Sequence, residues 1–165
     1  MIMLYYEDGQ WKFPLIQRPH YSGVHSGQMA LPGGRMEKTD QNRLDTAIRE
    51  TREEIGVSMD NVRILGALTE LNVIASQNTV LPVVSFSPEI PVYKPDAGEV
   101  DSIHIVLLEE ILDEKRSRIT SIPVTGRIRI EAPYYDIDGS IVWGATAMIL
   151  SEFLYIVREI TYNKF

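Results

Sequence analysis

With 165 residues and 44% apolar content, the chain has the length of one domain and enough hydrophobic mass for a single core, leaving no room for two independent catalytic domains. Cysteine is absent, so disulfides, thiolate metal sites and cysteine nucleophiles are excluded, and any bound metal must take oxygen or imidazole ligands. Lys and Arg number 16 against 23 Asp and Glu, a net charge of -7 that disfavours a broad nucleic-acid surface and leaves an anionic ligand to be drawn in by local cations or bound metal.

The opening run Met1–Tyr6 is apolar but stops at Glu7-Asp8-Gly9, without the length or basic flank of a secretory leader. No stretch approaches the roughly 18 apolar residues of a membrane span. The expectation is a soluble, cytoplasmic chain with no membrane partner and no nucleic-acid partner. A homo-oligomer is left open.

Residues Ile2–Tyr6 and Trp11–Gln17 read as two strands joined by the turn Glu7-Asp8-Gly9-Gln10, a hairpin. Arg18–Gly27 is polar and carries two glycines, which predicts an ordered loop, and Met29–Leu31 a short strand running into Pro32-Gly33-Gly34. The strongest helical pattern covers Asn42–Ile55, where Leu44, Ala47, Ile48, Thr51 and Ile55 recur at three- and four-residue steps. Thr39, Asp40 or Asn42 is its N-cap, and Gly56 its stop. Val62–Glu70, Thr79–Ser87 and Ile103–Leu108 follow as strands, and Glu109–Glu114 as a short helix. Val124–Glu131 and Tyr134–Ile137 form a second hairpin region, with Asp138-Gly139 closing the next turn, and Trp143–Ile160 is a long helix. Strands interspersed with two substantial helices predict an α/β fold with a mixed sheet covered on both faces, in one domain spanning residues 1–165.

Within the first long helix, Glu50 and Glu54 lie four residues apart and Glu53 beside both, so their side chains cluster on a face lateral to the apolar stripe. An acidic helix face is by itself ordinary solvated surface. Neighbouring carboxylates nevertheless repel unless a cation compensates them, and an oxygen-rich group of this kind suits Mg²⁺ or Mn²⁺. Gly33-Gly34 precedes the connection to this helix and allows close backbone approach, by a ligand or simply in a turn.

The segment Gly34–Asp40 through Arg49-Glu50-Thr51-Arg52-Glu53-Glu54-Ile55-Gly56-Val57 resembles the Nudix box, G-x₅-E-x₇-R-E-U-x-E-E-x-G-U. Asp40 stands for the first glutamate, eight residues rather than seven separate it from Arg49, and Thr51 takes the bulky apolar position. The altered spacing resembles the coenzyme A pyrophosphatase branch. So do Leu15-Ile16-Gln17-Arg18, His25-Ser26-Gly27-Gln28-Met29-Ala30-Leu31-Pro32-Gly33-Gly34, Thr46-Ala47-Ile48-Arg49-Glu50, Leu81-Pro82-Val83-Val84, Glu99-Val100 and Ile141–Ala147.

That resemblance implies a Nudix-like alpha/beta/alpha sandwich and a Mg²⁺- or Mn²⁺-dependent pyrophosphohydrolase. It implies that coenzyme A or its thioesters are cut at the internal diphosphate to 3′,5′-ADP and 4′-phosphopantetheine products. ADP-ribose or another nucleoside-diphosphate derivative, and a non-catalytic nucleotide-binding regulatory module, are the alternatives. It assigns Glu50, Glu53 and Glu54 to the metal, with a Gly33 or Gly34 carbonyl as a further ligand, and Arg49 to orienting the carboxylates. Glu53 is the first choice of base for the attacking water and Glu99 the second. Arg18, His25, Gly27 and Arg35 are the expected substrate-binding residues, each with an ordinary loop or surface role as its alternative. Tyr21, Tyr134, Tyr135 and Trp143 are adenine neighbours or packing residues, and Lys115, Arg116 and Arg118 a mixed solvated surface rather than a nucleic-acid site.

Overall fold

The computed structural model describes residues 1–22, 25–73, 76–113, 117–125 and 128–162. Strands β1 (Ile2–Glu7) and β2 (Gln10–Gln17) form the expected hairpin, with Tyr6 opposite Trp11 and Glu7 opposite Gln10. On its other edge β1 pairs in parallel with β7 (Val83–Phe86), which pairs antiparallel with β4 (Arg63–Ala67). Strand β2 also takes β3 (Met29–Ala30) and β8 (Ser102–Leu107), completing a mixed six-stranded sheet.

Alternation along these strands feeds two cores. Met1, Met3, Ile16 and Val83 pack against Ala47 and Ile55 of helix α1 (Arg43–Ile55) on one face. Ile2, Phe13, Leu15, Val84 and Val106 pack on the other against Leu150, Phe153 and Leu154 of helix α3 (Gly144–Tyr162). Helix α2 (Leu108–Leu112) contributes Leu108 and Ile111 to this second core. So do Tyr135, Ile137 and Val142 of a separate three-stranded sheet, built from β9 (Ser117–Thr125), β10 (Ile128–Ile137) and β11 (Ser140–Trp143) in the order β11-β10-β9. The result is an alpha/beta/alpha sandwich.

Several boundaries differ from the sequence expectation. Val62–Glu70 is not one strand: β4 ends at Ala67, and a small hairpin of β5 (Leu71–Val73) and β6 (Asn78–Val80) follows. Thr79–Ser87 divides between β6 and β7 at Leu81-Pro82, where proline has no amide to continue a ladder and its carbonyl instead accepts Leu68 N at 2.8 Å. Strand β10 runs unbroken through Pro133, which lies beyond the stretch paired with β11, residues 134–137, so the missing N–H costs no ladder bond on that edge. Its partner β9 begins at Ser117, ahead of the predicted Val124. Trp143 ends β11, and α3 starts one residue later. Among the described residues no helix is long and apolar enough to cross a membrane.

Candidate active site

Helix α1 carries most of the acidic residues singled out in the sequence. Its N-cap is Asn42, whose side chain accepts Leu44 N at 2.9 Å and Asp45 N at 3.1 Å, an arrangement worth about 1 kcal/mol. Thr51 is fully buried where the family pattern has an apolar residue, and its hydroxyl is satisfied by Ala47 O at 2.7 Å. The helix ends at Gly56, which adopts a left-handed conformation at φ 69° and donates to Arg52 O at 2.9 Å.

The four-residue spacing brings Glu50 and Glu54 to one place, and Glu99, from the loop before β8, joins them. One carboxylate oxygen from each lies within 4.8 Å of the others. Glu54 is 1% exposed; Gly33 N donates to it at 2.7 Å, and the Arg18 guanidinium lies 3.7 Å away. Burial dominates these partners and, with the nearby Glu50 charge, pushes its pKa up to about 7. Burial also raises Glu50, against the pull of Arg49. Gly34 borders the cluster so closely that a Cβ there would overlap the Glu50 carboxylate. Three converging hard oxygen donors, two of them desolvated, fit a divalent cation such as Mg²⁺ or Mn²⁺.

Glu53 does not join this group. Half-exposed, it is held by Arg49 at 2.8 Å. The same guanidinium contacts Glu50 at 3.0 Å, the Arg35 carbonyl at 2.9 Å, and Asp40 through both Nε and Nη2 at 3.0 Å. Asp40 further accepts the Glu37 amide and the Thr46 hydroxyl, each at 2.9 Å. The acidic residue that departs from the family pattern therefore locks the arginine that organises the helix face.

The expected substrate residues are spread around this centre. Arg18 reaches inward, donating to Gly33 O at 3.2 Å. His25, at φ 74°, bonds to the Gln28 side chain at 2.9 Å, within a loop closed by Arg18 N to Gln28 O at 3.0 Å and Gly27 N to Pro19 O at 3.1 Å. The Gly27 carbonyl accepts the Gln17 side-chain amide. Arg35 is exposed, and its guanidinium has no ion-pair partner among the described residues. Tyr135 is a core residue, its hydroxyl 3.0 Å from Ser151, and Tyr21 is exposed. Lys115 and Arg116 lie outside the described residues. The sequence reading passed over Asp96, which organises the loop bearing Glu99; Asp96-Ala97-Gly98 was its available turn signal.

A sequence profile of the NUDIX domain matches residues 1–125. The chain is 31% identical over 150 residues to a human protein named mitochondrial coenzyme A diphosphatase, an alignment covering 90% of this chain and 63% of that protein. It is 34% identical over 138 residues to the Nudix hydrolase NudL of Yersinia pestis, covering 82% of this chain and 67% of that one. The chain thus spans about two thirds of the length of these relatives. Among solved structures, RenU, a Nudix hydrolase from M. smegmatis, superposes with a TM-score of 0.61 over 99% of this chain and 83% of its own, at 16% identity, which supports the fold.

Proposed function

This chain belongs to the Nudix family, and we propose that it is a divalent-metal-dependent pyrophosphohydrolase that cuts coenzyme A or its thioesters at the internal diphosphate. The observation that carries the reading is the convergence of Glu50, Glu54 and Glu99 beside Gly34. A Mg²⁺ or Mn²⁺ ion bound there would supply Lewis acidity toward the diphosphate and the attacking water. Glu50 and Glu54 would hold it, with the Gly34 carbonyl as a further oxygen donor. Arg49 keeps Glu50 oriented through the guanidinium contact and also engages Glu53.

Proton removal from the water falls to Glu99 rather than Glu53. Glu53 is engaged by the Arg49 guanidinium and is not one of the three converging carboxylates, whereas Glu99 enters the cluster from a separate loop. Of the cations nearby, Arg18 is committed to Gly33 and Glu54, so exposed Arg35 is the better partner for a substrate phosphate, with His25 and Gly27 on the loop beside Arg18. The coenzyme A assignment is supported by the human relative's name and by the His25–Gly34 and Asp40–Arg49 patterns.

The test compares kcat/KM for coenzyme A, 3′-dephospho-coenzyme A and ADP-ribose at one Mg²⁺ concentration, with products separated. Coenzyme A should be preferred and yield 3′,5′-ADP. Loss of the 3′-phosphate should reduce kcat/KM by about tenfold or more, the worth of a hydrogen bond to a charged group. Preference for ADP-ribose reassigns the substrate, and no Mg²⁺-dependent turnover on any of the three overturns the enzymatic reading in favour of a nucleotide-binding module.

A further inference from the structure

We propose that Asp96 is a positioning residue that acts through Glu99, tying the loop that carries it to the end of the helix that carries Glu54. The proposal rests on the assignment of Glu99 as the proton acceptor.

The last carbonyls of a helix have no partner within it and must find one elsewhere. Here Ile55 O accepts Lys94 N at 2.9 Å and Glu54 O accepts Asp96 N at 3.0 Å. The intervening Pro95 has no amide to place, so the two flanking amides serve the helix end while the chain passes beside it. Contact is so close that a Cβ on Gly56 would overlap the Lys94 carbonyl.

From this anchor the loop turns back on Asp96. The Asp96 side chain accepts Gly98 N at 2.7 Å, and its carbonyl accepts Glu99 N at 3.1 Å and Val100 N at 2.8 Å. Val100 is 3% exposed in the core shared with α1, and Asp101 N bonds to Gln17 O at 2.9 Å, fixing the far end of the turn. Glu99 is thus presented by a turn whose side-chain clasp is Asp96 and whose foot stands on Glu54. The Asp96 carboxylate is not one of the three in the cluster, so it acts only by holding Glu99 in place. Displacing a reacting group by about 1 Å can cost as much as 10²-fold in rate.

The experiment measures kcat, KM and the Mn²⁺ dissociation constant for the full chain and for Asp96→Ala, Asp96→Asn, Glu99→Gln and the double variant Asp96→Ala/Glu99→Gln. Asp96→Ala should lower kcat by about tenfold with KM nearly unchanged, and should weaken Mn²⁺ binding no more than Glu99→Gln does. Asp96→Asn, which keeps an oxygen acceptor for Gly98 N, should restore most of the rate. In the Glu99→Gln background Asp96→Ala should have no further effect, since the two act as one unit. If Asp96→Ala does not fold, Gly98→Ala replaces it: its added Cβ would lie 3.1 Å from the Asp96 carboxylate and crowd the same clasp, with the same non-additivity expected.

Multiplicative losses in the double variant, or failure of Asp96→Asn to restore the rate, overturn the proposal. Full turnover in Glu99→Gln overturns it by removing the base through which Asp96 acts. Absence of Mn²⁺ binding by the unaltered chain instead brings down the metal-site reading, and the proposal with it.

Discussion

Asp40 and Glu54 carry the same functional group and are driven in opposite directions by their surroundings. The bidentate bond from Arg49, then the Glu37 amide and the Thr46 hydroxyl, hold the Asp40 carboxyl well below its ordinary value of 3.8. Burial lifts Glu54 instead. A carboxylate with a depressed folded-state pKa adds stability that is present above the unfolded value and is lost as the pH falls below about 4 toward the folded one. Asp40→Asn should therefore melt below the unaltered chain at neutral pH, and the gap should close as the pH is taken from about 5 toward 2. Melting temperatures by circular dichroism across that range check it; a gap independent of pH would mean that the amide fails on hydrogen-bond geometry rather than charge. Lysine at position 49 would be no substitute for the arginine, because a point charge cannot reach Asp40 through two nitrogens while also meeting Glu50, Glu53 and the Arg35 carbonyl.

Helix α1 was legible because its apolar period, its acidic face and its terminal glycine all point to one element, and Asn42 and Gly56 do cap it. Gly56 makes a sharp test at this scale. Alanine there meets both an unfavourable left-handed backbone, about 1 kcal/mol, and the Lys94 carbonyl, so its loss of stability should exceed that figure. A urea titration should show a lower midpoint with an unchanged slope; a midpoint equal to the unaltered chain's would show that the loop gives way freely. The small hairpin β5–β6 was not legible, since Leu71–Val73 continues the apolar pattern of β4 and only pairing partners distinguish them. The β9–β10 pairing was half-read for a similar reason: Pro133 looks like a break until the open edge beside it is known. The convergence of Glu99 with Glu50 and Glu54 depends on hydrogen bonds from Lys94 and Asp96 to a helix end about forty residues earlier in the chain, a contact that no local periodicity encodes. Glu53, by contrast, was placed with the other glutamates by its neighbourhood on the helix, whereas in the structure it pairs with Arg49 and is not one of the three converging carboxylates.

Across the molecule the sheet divides labour between its faces, with α1 and the acidic centre on one side and α3 on the other. Because Met1 and Met3 go to the first core and Ile2, between them at the start of β1, to the second, neither core can form without fixing the strands of the other. We expect one cooperative transition in scanning calorimetry, and Leu154→Ala, at a fully buried α3 position, should cost about 2–5 kcal/mol while leaving kcat unaltered at temperatures where the variant is folded. Two resolved transitions, or a fall in kcat without a fall in stability, would contradict this. The two layers also come from different stretches of chain. Everything up to Asp113 contains the acidic centre and the six-stranded sheet, while β9 onward supplies most of the apolar blanket over that sheet's second face. A chain divided after Asp113 would put the chemistry on one piece and its upholstery on the other, so that turnover by the first would report whether the second had docked, which is the working principle of a split reporter.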